Sequence, residues 1–137
     1  MTNIDVIEEH ASTVEKYLHE AKSFQKYSPQ ELSGNSMAQR ACERSLYLLT
    51  QSAIELAEAM VSYQSLRKPA ELRESFEILH EHGLLDRELV EKLVAMTGFR
   101  NALAHDYKHF DYGIMYDVLQ NRLDDIADFA EAMKKLI

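Results

Sequence analysis

The sequence predicts an all-α protein, an antiparallel bundle of four to five helices forming one domain over residues 1–137. Three observations carry that expectation. The chain holds four glycines and two prolines in 137 residues, far below their usual combined share of about 12% and too few for many short strands joined by tight turns. Apolar residues recur at spacings of three and four in five separate segments, the period of a helix with one buried stripe. No segment sustains the apolar–polar alternation of a half-buried strand. With 46% apolar residues, a chain of this length can bury roughly two-thirds of its unfolded surface.

The segments follow from the punctuation. Residues 3–27 carry Ile4, Ile7, Ala11, Val14, Leu18, Ala21 and Phe24 on one face. Ser28-Pro29 and Ser33-Gly34-Asn35-Ser36 then supply a stop, a loop and a new N-cap. Residues 36–66 form a long second helix with Met37, Ala41, Leu48, Ala53, Leu56, Met60 and Val61 on its stripe, ending before Lys68-Pro69. Pro69 suits the first position of a short third helix that ends near His80, with Gly83 as its C-terminal cap. Asp86 caps a fourth helix bearing Leu89, Val90, Leu93, Val94, Met96, Phe99 and Leu103. Residues 113–136 make the last helix, with Ile114, Val118, Leu119, Leu123, Ile126, Phe129, Ala130 and Met133 in register.

Charge and composition narrow the function. Fifteen basic and 23 acidic residues leave a formal charge of −8. The excess is even: residues 1–66 hold 5 basic and 9 acidic, residues 67–137 hold 10 and 14, so each part carries −4. A protein that coats nucleic acid regardless of sequence needs a basic surface, so that class is excluded, while one compact cationic cleft is not. Cys42 is the single cysteine, which excludes an intramolecular disulfide and a cysteine-based zinc site. The start, MTNIDVIEEH, is acidic where a signal peptide would be basic and then apolar. No apolar run is long enough to span a membrane. The expectation is a soluble cytoplasmic protein.

Chemistry concentrates in Gly98-Phe99-Arg100-Asn101-Ala102-Leu103-Ala104-His105-Asp106-Tyr107. Gly98 inside a helix costs about 1 kcal/mol relative to Ala, which suggests close approach by another backbone or a ligand, or a tight helix crossing. At about 100° per residue, Arg100 and His105 point roughly 140° apart, whereas Asn101 and His105 are neighbours on one face. A joint Arg–His site therefore needs a reaching Arg side chain, a helix that ends near His105, or a second copy of the segment from a symmetric partner. On spacing alone, a polar helix end with ion pairs is the better explanation of these residues. Glu43, an acid on the long second helix, is the candidate to pair with Arg100 and hold it.

The wider pattern resembles a known family. Phe99-Arg100-Asn101-x-x-x-His105-x-Tyr107 is similar to the signature of the HepT-type (DUF86) branch of the HEPN proteins. Gln39-Arg40-Ala41-Cys42-Glu43-Arg44-Ser45-Leu46 resembles that branch's second-helix motif, and Phe76, Leu79 and Gly83 fit the short helix and turn before its active segment. Ala102 and Ala104 depart from it, standing where larger aliphatic residues are common. The resemblance implies an all-α homodimer, a toxin of a toxin–antitoxin pair acting as a metal-independent ribonuclease without a cofactor. It implies an MNT-type nucleotidyltransferase as partner and antitoxin. By the same resemblance Arg100 and His105 are catalytic, Asn101 supports the site, and Tyr107 is the residue the partner adenylylates. Lys108 would add phosphate attraction.

Two other readings compete. Glu77-x-x-His80 has the spacing of a di-iron ligand pair, Asp106-x-x-His109 is a loose second copy, and His105 and His109 could share a zinc. The alternative to catalysis is a helical adaptor that docks a nucleotidyltransferase or presents it with substrate. Tyr47, Tyr63, Tyr112 and Tyr116 read as core or interface residues rather than a platform for stacked bases.

Overall fold

A computed structural model of the chain describes residues 3–105 and 110–137. Among the described residues every regular element is helical: α1 (Ile4–Lys22), a 3-10 turn (Ser23–Lys26), α2 (Pro29–Ser33), α3 (Ser36–Tyr63), α4 (Glu74–Glu81), α5 (Arg87–His105), α6 (Tyr112–Asn121) and α7 (Leu123–Lys134). The all-α expectation holds, with more breaks than the apolar stripes announce.

Each break has a local cause. The Ser23 hydroxyl bonds the Glu20 carbonyl at 2.6 Å where α1 tightens into the 3-10 turn, and Phe24 stacks on Tyr27 beyond it. The stretch expected to be loop holds α2, because Ser28 and Glu31 form a reciprocal capping box around Pro29. Asn35 then caps α3 by accepting from the Ala38 N–H at 3.1 Å. That helix stops at Tyr63, short of residue 66, where Ser65 turns left-handed (φ 56°) and the Leu66 N–H closes back on the Val61 carbonyl. Pro69 does not open the next helix. Arg67 instead grips Glu74 and Glu81 at 3.0 and 2.8 Å, laying the connection against α4, which begins at Glu74. Gly83 (φ 72°) closes α4 as expected, with Leu84 N–H reaching the Leu79 carbonyl.

The last predicted helix is two helices meeting at Arg122. There the Asp117 carboxylate accepts from both Asn121 and Arg122 side chains. The Leu119 carbonyl, whose partner in an unbroken helix would be residue 123, accepts instead from Gln25 Nε2 at 2.9 Å. Asp124 and Asp125 then suit a fresh helix start, where backbone N–H groups favour negative charge.

The long helices close a ring: α1 packs on α3 and α7, and α5 packs on the same two. Inside lie fully buried Ile7, Leu46, Leu49, Ile54, Met60 and Leu93, with Phe76 meeting Phe129 edge-on at 5.3 Å between centroids. No helix among the described residues is long and apolar enough to cross a membrane.

Candidate functional site

Packing of α5 on α3 sets the site. Phe99 and Leu103 are buried, anchoring the last turns of α5, so the polar residues between them face outward. Phe99 also lies 6.2 Å from Phe110, which meets Tyr112 edge-on at 5.0 Å. Asp111 caps α6 through the Gly113 and Ile114 N–H groups and so places Tyr112 beside α5. The result is a cleft of about 690 Å³ between α3 and the end of α5, walled by Arg40, Glu43, Arg44 and Tyr47 on one side and Ala104 and His105 on the other, with Tyr112 at its edge.

Arg100 is half-buried and held at three points. Its Nε donates to Gln51 Oε1 at 2.8 Å, Nη1 to Asn101 Oδ1 at 3.0 Å and Nη2 to the Tyr47 hydroxyl at 3.1 Å. The guanidinium also lies 5.2 Å from the Tyr47 ring centroid. Glu55 takes the Gln51 amide N–H at 3.2 Å, which leaves the amide oxygen to face Arg100. All three acceptors are neutral, so the guanidinium is fixed in direction and keeps its full charge.

The expected pairing of Arg100 with Glu43 is not formed. Glu43 sits in the cleft wall, but its carboxylate accepts from the Tyr112 hydroxyl at 3.4 Å. Burial, reinforced by that negative charge, raises the Tyr112 phenol above its ordinary value, with Arg40 opposing. His105 is exposed in the last turn of α5 and lines the cleft. Asn101 is exposed and orients Arg100. Arg100 is not itself among the residues that line the cleft; it adjoins it through Tyr47, which lines the cleft and accepts from its Nη2. Tyr107, with Asp106, Lys108 and His109, lies outside the described residues.

Gly98 does not mark a tight crossing among the described residues: a Cβ there would meet none of their atoms within 4 Å. His80 Nδ1 is engaged with the Leu85 carbonyl at 2.9 Å, and Glu77 lies 4.0 Å from Arg73. Among the described residues no three His, Cys, Asp or Glu side chains gather as a metal site. Cys42 is buried in α3, and burial pushes its thiol up to about 12, so it is no nucleophile.

Arg40, Arg44, Tyr47, Gln51 and Tyr112 were not singled out from the sequence as site residues. A signal existed: Arg40, Arg44, Tyr47 and Gln51 recur at intervals of four, three and four, a polar stripe on the face of α3 opposite its apolar one. Tyr47, Tyr63 and Tyr116 pack against the core as expected, and Tyr47 and Tyr112 also line the cleft.

Similarity to known proteins converges on one group. A family model for HepT-like ribonucleases matches residues 14–133. The mRNA nuclease HepT of Shewanella oneidensis is 31% identical over 96 residues, 70% of this chain and 66% of that protein, so the match spans just under two thirds of that relative's length. The tRNA nuclease HepT of Aphanizomenon flos-aquae is 31% identical over 113 residues, 81% of this chain and 77% of that protein. In fold, the chain matches the tri-AMPylated HEPN toxin of Shewanella oneidensis solved with its MNT antitoxin, at a TM-score of 0.88 and 23% identity over 97% of this chain and 99% of that one. YutE from Bacillus subtilis, a cytosolic protein of unknown function, matches at 0.84 and 18% identity over 98% and 90%.

Proposed function

Because this chain belongs to the HepT-like ribonuclease family, we propose that it is the toxin of a toxin–antitoxin pair, a metal-independent ribonuclease silenced by a partner MNT-type nucleotidyltransferase. The observation that carries the reading is the Arg100 guanidinium, held by three neutral acceptors at 2.8–3.1 Å beside a cleft that His105 lines. RNA carries its own nucleophile. An imidazole at His105 takes the proton of a ribose 2′-OH, the 2′-oxygen bonds to phosphorus, and the bond to the 5′-oxygen breaks. The leaving oxygen takes a proton from imidazolium, and an imidazole whose ordinary pKa is about 6.5 serves both roles. Charge building on the phosphorane oxygens meets the fixed guanidinium of Arg100. Asn101 is a positioning residue, acting through Arg100.

A symmetric homodimer would bring a second His105 and Arg100 to the site and let one imidazole act as base while the other acts as acid. Control by the antitoxin would act at Tyr107, two residues beyond His105, where an adenylyl group adds bulk and negative charge against incoming phosphates. The AMPylated state of the Shewanella toxin in complex with its MNT antitoxin supports this.

His105→Ala is expected to abolish cleavage of bulk RNA while leaving the circular dichroism spectrum unchanged, and wild-type cleavage should persist in chelator. Undiminished cleavage by His105→Ala would overturn the assignment. Absence of any cleavage, together with tight co-purification of a nucleotidyltransferase, would point to the adaptor role. The intact mass of protein co-expressed with its partner should rise by whole adenylyl units, and Tyr107→Phe should remove the increase.

A further inference from the structure

Arg40 and Arg44 both line the cleft, one helical turn apart on α3, a separation of about 5–6 Å between Cβ atoms. Elsewhere on the surface Arg67, Arg73 and Arg122 are each paired with carboxylates. Arg40 and Arg44 have no ion pair among the described residues, although Glu43 stands beside them in the same wall and accepts from Tyr112. The Arg44 guanidinium lies 5.3 Å from the centroid of the Tyr47 ring, the ring that Arg100 also covers. In a protein of formal charge −8, two arginines without an ion pair among the described residues thus line one cleft, and a third, Arg100, shares the Tyr47 ring with Arg44.

We propose that Arg40 and Arg44 hold two successive phosphates of a single RNA strand next to the phosphate cleaved at His105. The proposal rests on the ribonuclease reading and adds how an acidic protein captures its substrate. Two guanidiniums one turn apart face the same way and can each take a phosphate bidentately. Stacking on Tyr47 orders Arg44 before RNA arrives, which lowers the entropy lost on binding. Because the contacts reach only backbone phosphates, capture is indifferent to base sequence.

The test is binding of single-stranded RNA of mixed sequence to the His105→Ala protein across a salt series. Adding Arg40→Gln or Arg44→Gln should weaken binding about tenfold each, the loss of one charged hydrogen-bonding group. The double substitution should flatten the log–log salt slope by about 1.4, two contacts at about 0.7 each for a single strand. Arg87→Gln removes the same charge about 27 Å away at the other end of α5 and should change neither quantity. In otherwise wild-type protein the two substitutions should raise KM. A double variant that cleaves RNA with unchanged KM and binds it with an unchanged salt slope would overturn the phosphate track and leave the ribonuclease reading intact. Loss of nucleotidyltransferase binding with RNA affinity preserved would overturn it too, assigning the arginines to a protein contact. Wild-type protein that neither binds nor cleaves RNA would remove both readings together.

Discussion

Arg100 illustrates how much a single side chain depends on neighbours far away in sequence. Its motif is visible in the sequence, but what fixes it is not: Gln51 and Tyr47 lie 49 and 53 residues earlier, on a different helix. Glu43 was the natural candidate because opposite charges attract, yet a neutral cradle leaves the guanidinium free to act on a phosphate. Arg100→Lys keeps the charge and loses the planar fork that meets three acceptors at once. It should lower kcat by about 10²–10³ with the fold intact, the scale of losing one positioned donor to a developing oxyanion, as read in steady-state RNA cleavage. Cys42 makes a pH prediction. Burial, with Glu43 adding to it, raises its thiol from 9.0 to about 12. A folded-state pKa raised in this way contributes stability that is whole below pH 9, where both states hold the proton, and is lost as pH climbs towards 12. Denaturant midpoints should fall across that window, and less so in Cys42→Ala; a thiol reagent at neutral pH should label only unfolded chain.

At the scale of the element, the stripes marked the long helices but missed the short α2 and the points where helices start and break. A continuous apolar stripe over residues 113–136 conceals the break at Arg122, because the break comes from Asp117 and from a glutamine more than ninety residues away that takes the Leu119 carbonyl. Pro69 looked like a helix start for sound local reasons, and the Arg67 clamp on Glu74 and Glu81 overrode them. The most exposed question on α5 is Gly98. With no atom of the described residues within 4 Å of a built Cβ, Gly98→Ala should stabilise the chain by about 1 kcal/mol, as helix propensity dictates. Thermal unfolding checks this. A gain in melting temperature with a loss of RNA cleavage would identify the bare helix face as the place where a second protein surface comes close.

The whole molecule was legible as a bundle because most of its core is built from the periodic residues, although Ile4, Met37 and Ile114 of the expected stripes are exposed and Leu46, Leu49 and Ile54 fill the core instead. The site was legible only where a motif runs along one helix, since the α3 wall reads on its own as ordinary surface. The ring of α1, α3, α5 and α7 is closed across its middle by Phe76 and Phe129. Phe129→Ala should therefore cost about 3–5 kcal/mol and weaken the entire fold in one cooperative transition, measured by denaturant titration. Both aromatic rings come from elements other than the site's, so stability and chemistry are vested in different residues. The cleft, in contrast, is assembled from residues 40–47, 103–105 and 112. A chain emerging from the ribosome, which delivers roughly 5–20 residues per second, holds its first wall long before its second and has no cleft until Tyr112 has cleared the exit tunnel. Synthesis order thus keeps the two walls of the cleft apart until more than four fifths of the chain has been made.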